Sequence, residues 1–219
     1  MHRTFCMAVL LLGSAGFAQT ANHSISSSHR AVWEPPAWSF LPELPKASVA
    51  KEMLSTLRVS DYHVTLEETK MQDVGQRFGA TTGRKGDAGE ALGWLCFHGT
   101  NAMGRWALWL ESGEIDGGTI GSFQWQRLPK STNLDGRCHL LKGAAGTIEL
   151  PLTLKLGAGE EEVLQVLGSP TTRHNGRLIY VHEHEESLRG QPYTSSNIVA
   201  IRLRNGKVWA IEVSKTTSS

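Results

Sequence analysis

The chain runs twice through the same order of events, and that order limits its fold more than any other feature. Val74, Phe78 and Gly79 match Val163, Leu167 and Gly168 at a constant offset of 89 residues. Trp106, Leu108, Leu110 and Gly113 match Val199, Ile201, Leu203 and Gly206 at an offset of 93, and the step from 89 to 93 reads as one small loop insertion. In each half a helix-spaced apolar stripe stops at glycine, and strand-spaced apolar residues then lead to a glycine turn. The expected fold class is α+β: two tandem α-β-β-β units, helices packed on one face of antiparallel sheet, the other face open.

Local signals fill in this plan. Thr65-Leu66-Glu67-Glu68 has the spacing of a capping box, with the Thr hydroxyl and the Glu68 carboxylate exchanging bonds with orphan N–H groups. Met71, Val74 and Phe78 then form one stripe, and Gly79 ends the helix. A glycine-rich loop follows over residues 83–89. Trp94-Leu95-Cys96-Phe97 reads as a buried strand, residues 106–110 as a second turned by Ser112-Gly113, and residues 120–128 as a third. In the second half, Glu160-Glu161-Glu162 puts acid at the positive end of a helix whose apolar face is Val163, Val166 and Leu167, and Gly168-Ser169-Pro170 ends it. His174-Asn175-Gly176-Arg177 is a hairpin signal. Strands are expected over residues 178–184, 198–204 and 208–213, the last two joined by Asn205-Gly206.

Residues 1–18 have a positive start, a short apolar run and small residues Gly16 and Ala18 at a cleavage-like spacing, the pattern of a signal peptide. The run is far shorter than the roughly 20 residues that span a bilayer as a helix, and no later run is long enough. Residues 19–60 are rich in Ser and Pro and read as an extended arm, with Trp33, Trp38 and Phe40 as docking side chains. Val49, Met53 and Leu57 give a short helix over residues 47–57. The two units occupy residues 61–130 and 138–215. Without Arg3, Lys and Arg number 21, equal to the 21 acidic residues, so charge points to neither nucleic acid nor an anionic membrane.

Cys6 lies in the leader, leaving Cys96 and Cys138. An even pair in an exported chain favours a disulfide, contributing about 4 kcal/mol for a loop of this length, with two buried thiols as the alternative. Neither belongs to a C-x-x-C, so the pair alone is no metal site.

Residues 159–170, reading Gly-Glu-Glu-Glu-Val-Leu-Gln-Val-Leu-Gly-Ser-Pro, together with the strands ending in Asn205-Gly206-Lys207-Val208, resemble the SmpA/OmlA (BamE-like) domains of bacterial envelope proteins. Two such units in tandem resemble the fold of the β-lactamase inhibitory proteins. The resemblance spans roughly residues 61–215 and implies helices on an antiparallel sheet whose open face binds other proteins. The chain has no lipidated Cys of the outer-membrane lipoprotein kind, and fold likeness does not settle function.

The chemistry-bearing patterns are sparse. There is no G-x-S-x-G and no Cys-His pattern, and the glycines at 83, 86, 89, 117, 118 and 121 lack the strand-to-helix setting of a phosphate loop. His182-Glu183-His184 puts two imidazoles on one strand face, the start of a metal site that needs a third ligand of the type of His174 or His98. A solvated strand end of mixed charge accounts for them without a metal. No catalytic set, cofactor or metal is expected.

Among seven Trp, Trp109 points away from the helix-packed face of Trp106, Leu108 and Leu110, and Tyr180, His182 and Arg202 are assigned to the same open face. Either Trp109 is exposed there for a partner or the arm or a loop covers it. The expected function is an exported, non-enzymatic protein–protein interaction module with another protein as partner, an inhibitor or envelope-assembly accessory, periplasmic or secreted. The alternative is a metal- or small-ligand-binding periplasmic protein centred on His182 and His184.

Overall fold

The computed structural model describes residues 31–37, 45–49, 53–87, 90–113, 117–142, 147–188 and 191–218. The predicted signal peptide, and Trp38 and Phe40 of the arm, lie outside them. In chain order the elements are β1 (Thr56–Val59), β2 (Tyr62–Thr65), α1 (Met71–Phe78), β3 (Thr82–Lys85), β4 (Leu92–Asn101), β5 (Gly104–Gly113), β6 (Ser122–Arg127), β7 (His139–Leu140), β8 (Ile148–Glu149), α2 (Glu160–Leu167), β9 (Thr172–His174), β10 (Arg177–Leu188), β11 (Gln191–Arg204) and β12 (Lys207–Ser218). No helix among the described residues is long and apolar enough to cross a membrane.

The expectation of two α-β-β-β units does not hold. The protein is mostly β, and the strands β3-β4-β5-β6-β12-β11-β10-β9 form one continuous sheet, with β7 as its ninth strand beside β4. Pairing is antiparallel except at β7, and β6 joins β12 through Gln126↔Ala210 to Ser122↔Ser214. Among the described residues six strands, not three, follow α1 before α2, and four follow α2. Size explains the correction. Eight strands about 4.8 Å apart make a face roughly 35 Å wide, whereas an eight-residue helix is about 12 Å long and about 10 Å across. Two such helices cannot cover it, and a second sheet, β2-β1-β8, supplies the rest. One core cluster accordingly joins Leu57, Val59 and Val64 of the small sheet, Val74 of α1, Val163 and Leu167 of α2, and Leu108, Phe123, Val199 and Ile211 of the large sheet.

Two local expectations are also corrected. The described residues of the predicted 47–57 helix, 47–49 and 53–57, are not helical: Leu57 lies in β1 on the same buried face as Val59 and pairs with Val64. Thr65 does not cap α1. It ends β2 opposite Thr56, takes the Thr69 N–H on its carbonyl at 2.9 Å, and donates its own N–H to Thr69 Oγ1. The helix starts one turn later with Lys70 at the N-cap. At the other end Gly79 takes φ 65°, and the Ala80 N–H reaches the Gly75 carbonyl at 2.9 Å, the left-handed stop that glycine allows.

Two cross-strand pairs seat large rings on glycine. Gly83 faces Trp94 and Gly99 faces Trp106. A Cβ at either glycine would come 2.2 Å and 2.4 Å from the opposite indole, so each ring lies over bare backbone.

Candidate functional site

One row of cross-strand neighbours maps the sheet face turned away from the core: Cys96, Trp109, Gln124, Glu212, Ala200 and Ile179 stand opposite one another in succession from β4 to β10. This face is not open as expected. Residues 31–37 cross its β4–β6 end. Val32 donates to the Asn133 carbonyl at 2.8 Å and accepts from the Asp135 N–H at 3.1 Å. Trp33 packs edge-on to Trp94 at 5.9 Å, with the Arg137 guanidinium 4.8 Å from its ring. The Trp109 indole N–H donates to the Trp33 carbonyl, and Gln124 Nε2 donates to the Pro36 carbonyl at 2.9 Å and to Glu111 Oε1 at 2.8 Å. Trp109 is fully buried, so it offers no surface to a partner while this segment is in place. Beneath it Cys96 and Cys138 lie at disulfide distance, their Cα atoms 4.6 Å apart.

The other site residues from the sequence do not come together. Tyr180 pairs with Val199 and His182 with Asn197, whereas Arg202 pairs with Arg177. Tyr180 therefore sits in the core with Val199 and Ile201, on the opposite face from Arg202 and Trp109. Its hydroxyl donates to the Gly168 carbonyl at 3.2 Å, and burial pushes its pKa up to about 12. His182 Nδ1 lies 2.8 Å from the Val49 carbonyl. Arg202 Nη2 donates to Glu212 Oε1 at 2.5 Å. Glu212 is 2% exposed, and burial raises its pKa against the opposing pull of Arg202 and Arg177. Its Oε2, Arg177 Nε and Arg202 Nε are buried without hydrogen-bond partners. This charge cluster is internal to the sheet.

His182 and His184 do share one strand face, as their pairing with Asn197 and Ser195 requires. His98 lies on β4, several strands away, and His174 hydrogen-bonds Asn175 beyond the β9 end. Among the described residues no group of three His, Cys, Asp or Glu side chains is placed to hold a metal ion.

The feature that sequence reasoning missed is the length of the last three strands. β10 and β11 pair from Arg177↔Arg202 to Leu188↔Gln191, and β12 follows β11 to Thr194↔Ser218. β9 covers only Arg177 to Ile179 of β10, and β6 only Ala210 to Ser214 of β12. The remainder projects as a three-stranded ribbon. Its sequence alternates polar with polar, as in Glu183-His184-Glu185, so no hydrophobic period marks it.

The two ribbon edges differ. On β12, Lys215 donates to the Gly121 carbonyl at 2.9 Å, and the Glu67 carboxylate accepts the Thr217 N–H at 2.6 Å and its hydroxyl at 2.9 Å. On β10, among the described residues, the last edge groups with partners are those of Val181, whose N–H donates to Thr171 Oγ1 at 2.9 Å and whose carbonyl accepts from Ser48 and Val49 at 3.2 Å. Since alternate residues of an edge strand turn their backbone groups outward, Glu183, Glu185 and Ser187 point theirs away from β11. Glu183, Glu185 and Ser187 are exposed, and no strand lies beside them among the described residues.

Compared with known protein families, with curated proteins and with solved structures, the chain matches none.

Proposed function

We propose that this protein is an exported, non-enzymatic binding module that takes an extended segment of another protein along the outer edge of β10. The observation that carries this reading is the run of outward backbone groups at Glu183, Glu185 and Ser187, next to a position, Val181, where the chain's own residues 48–49 already use the same edge. An unpaired edge is a template for a further strand, main-chain bonds giving affinity and alternate side chains giving selectivity. The flanking Glu183 and Glu185 favour a basic segment and disfavour a second copy of this edge, where like charges would meet. Export to the periplasm or beyond the cell is supported by the signal-like residues 1–18 and is consistent with the Cys96–Cys138 pair.

Affinity capture from envelope extract and culture fluid tests the reading, with the mature chain beside Glu185→Pro and Glu185→Ala baits. Proline at 185 deletes an outward N–H and leaves the β11 ladder intact. A partner held by wild type and Glu185→Ala but lost with Glu185→Pro is the expected result. Equal capture by the proline variant would sink the proposal.

A further inference from the structure

Away from the β10 edge, a hollow of about 570 Å³ opens between the ends of β4 and β5 and the 129–142 segment, lined among others by His98, Arg105, Asp135, Cys138, His139 and Lys142. That volume lies within the roughly 300–1,000 Å³ usual for small-molecule sites. The local chain is held in several ways. Arg105 Nη1 donates to the carbonyls of Lys130 and Thr132 at 3.0 and 2.9 Å, which fixes its guanidinium against the loop. The Leu141 N–H donates to the His98 carbonyl at 2.9 Å, and β7 pairs His139 with Phe97. Cys138 ties the far wall to Cys96 in β4.

The charge balance of this lining is lopsided. Among the described residues its only carboxylate, Asp135, is engaged by Arg137, which donates from Nε and Nη2 at 2.8 Å and from its backbone N–H at 2.9 Å, so Asp135 titrates at about 2. Arg105 and Lys142 have no ion-pair partner among the described residues. The His98 imidazole is held below its usual pKa by burial, then by Arg105 and His139. The hollow between β1, α1 and β8 shows the ordinary arrangement. It contains two arginines, but Arg58 is paired with Glu149 and Arg77 with Asp61.

The geometry points to a binding pocket for a small phosphorylated molecule, its phosphate held by Arg105, Lys142 and His98. A guanidinium, an ammonium and an imidazole come from three chain segments, which suits a tetrahedral dianion better than a planar carboxylate. The His139 ring takes no part: it pairs with Phe97 and packs edge-on to it at 6.1 Å, on the core side of β4. Such an anion supplies the negative charge that the lining lacks and favours the protonated His98 imidazole. The pocket is independent of the β10 edge, so either site can fail without the other.

The test is an NMR titration of the full mature chain at constant ionic strength, following the ring protons of His98. Inorganic phosphate and glycerol phosphate are the probes, and acetate is the control. The expected result is a saturable shift of the His98 imidazole with phosphate and not with acetate, tighter for glycerol phosphate if the ligand is a monoester. Lys142→Ala, at an exposed position, should weaken binding about tenfold, the loss of one charge-assisted hydrogen bond. No saturable shift, an equal response to acetate, or unchanged affinity in Lys142→Ala would overturn the assignment.

Discussion

The indole N–H of Trp109 donates to the main-chain carbonyl of Trp33 at 3.2 Å, joining residues 76 positions apart. A buried indole N–H needs an acceptor, and the strands beside Trp109 have already committed their carbonyls to the ladder. The N-terminal segment supplies one, and in doing so places the Trp33 ring against Trp94. The face that the sequence presents as open is closed by the chain itself.

Trp33→Ala should therefore cost about 3 kcal/mol, the low end for truncating a buried aromatic, because Trp33 is only 7% exposed. Urea unfolding measures the loss, and acrylamide quenching should rise as Trp94 and Trp109 meet solvent. Wild-type stability in the variant would mean that the segment does not cover this face.

Removing the Cys96–Cys138 link, 42 residues apart, should lower stability by about 4 kcal/mol on the loop-entropy account. The comparison is the Cys96→Ala/Cys138→Ala double variant against the oxidised protein. A change under about 1 kcal/mol would show that the crosslink restrains little of the unfolded chain.

Gly99→Ala should destabilise by roughly 1–3 kcal/mol, the range for overpacking a filled core. The added Cβ would lie 2.4 Å from the Trp106 ring, which is 1% exposed and has nowhere to retreat. Gly136→Ala meets nothing within 4 Å and serves as the control, with an expected change inside about 0.5 kcal/mol.

Glu212 predicts a pH dependence of defined sign. Burial raises its pKa, so the folded state holds the proton more tightly than the unfolded chain. Its contribution to stability is fully present below the unfolded value near 4.5 and is lost as pH rises through the folded pKa. Glu212→Gln should thus gain on wild type as pH rises through that window, read from melting temperatures between pH 4 and 8. A difference that does not vary with pH would contradict the assignment.

Asp135 has the opposite sign. Arg137 holds its pKa at about 2, below the ordinary 3.8, so its contribution is present above the unfolded value and lost as pH falls toward the folded one. Carboxyl NMR titration should place its midpoint near 2, and Arg137→Gln should return it toward the ordinary value.

What the sequence determined by itself is local. Asn175-Gly176 and Asn205-Gly206 adopt positive φ at both residues, 47° and 72°, 52° and 69°, because a two-residue hairpin turn requires that backbone and few other residues tolerate it. Gly79 stops α1 for the same steric reason. Alternation placed Trp106, Leu108 and Leu110 on the core face, since a strand has a period of two whatever surrounds it.

What only tertiary structure decided is pairing between distant segments. Thr65 to Glu68 has the residues of a helix cap, but Thr65 is claimed by Thr56 across the β1–β2 hairpin. Leu57 fits a helical stripe or a strand equally, and its pairing with Val64 decides for the strand. Tyr180 and His182 lie on the other sheet face from Arg202 because β10 and β11 meet at Leu188↔Gln191, and a one-residue slip there would reverse every face. Whether Trp109 is surface or core depends on a segment 76 residues earlier. Local backbone preference is written residue by residue, whereas register and burial depend on which distant groups satisfy one another, and that is settled only when the whole chain is packed.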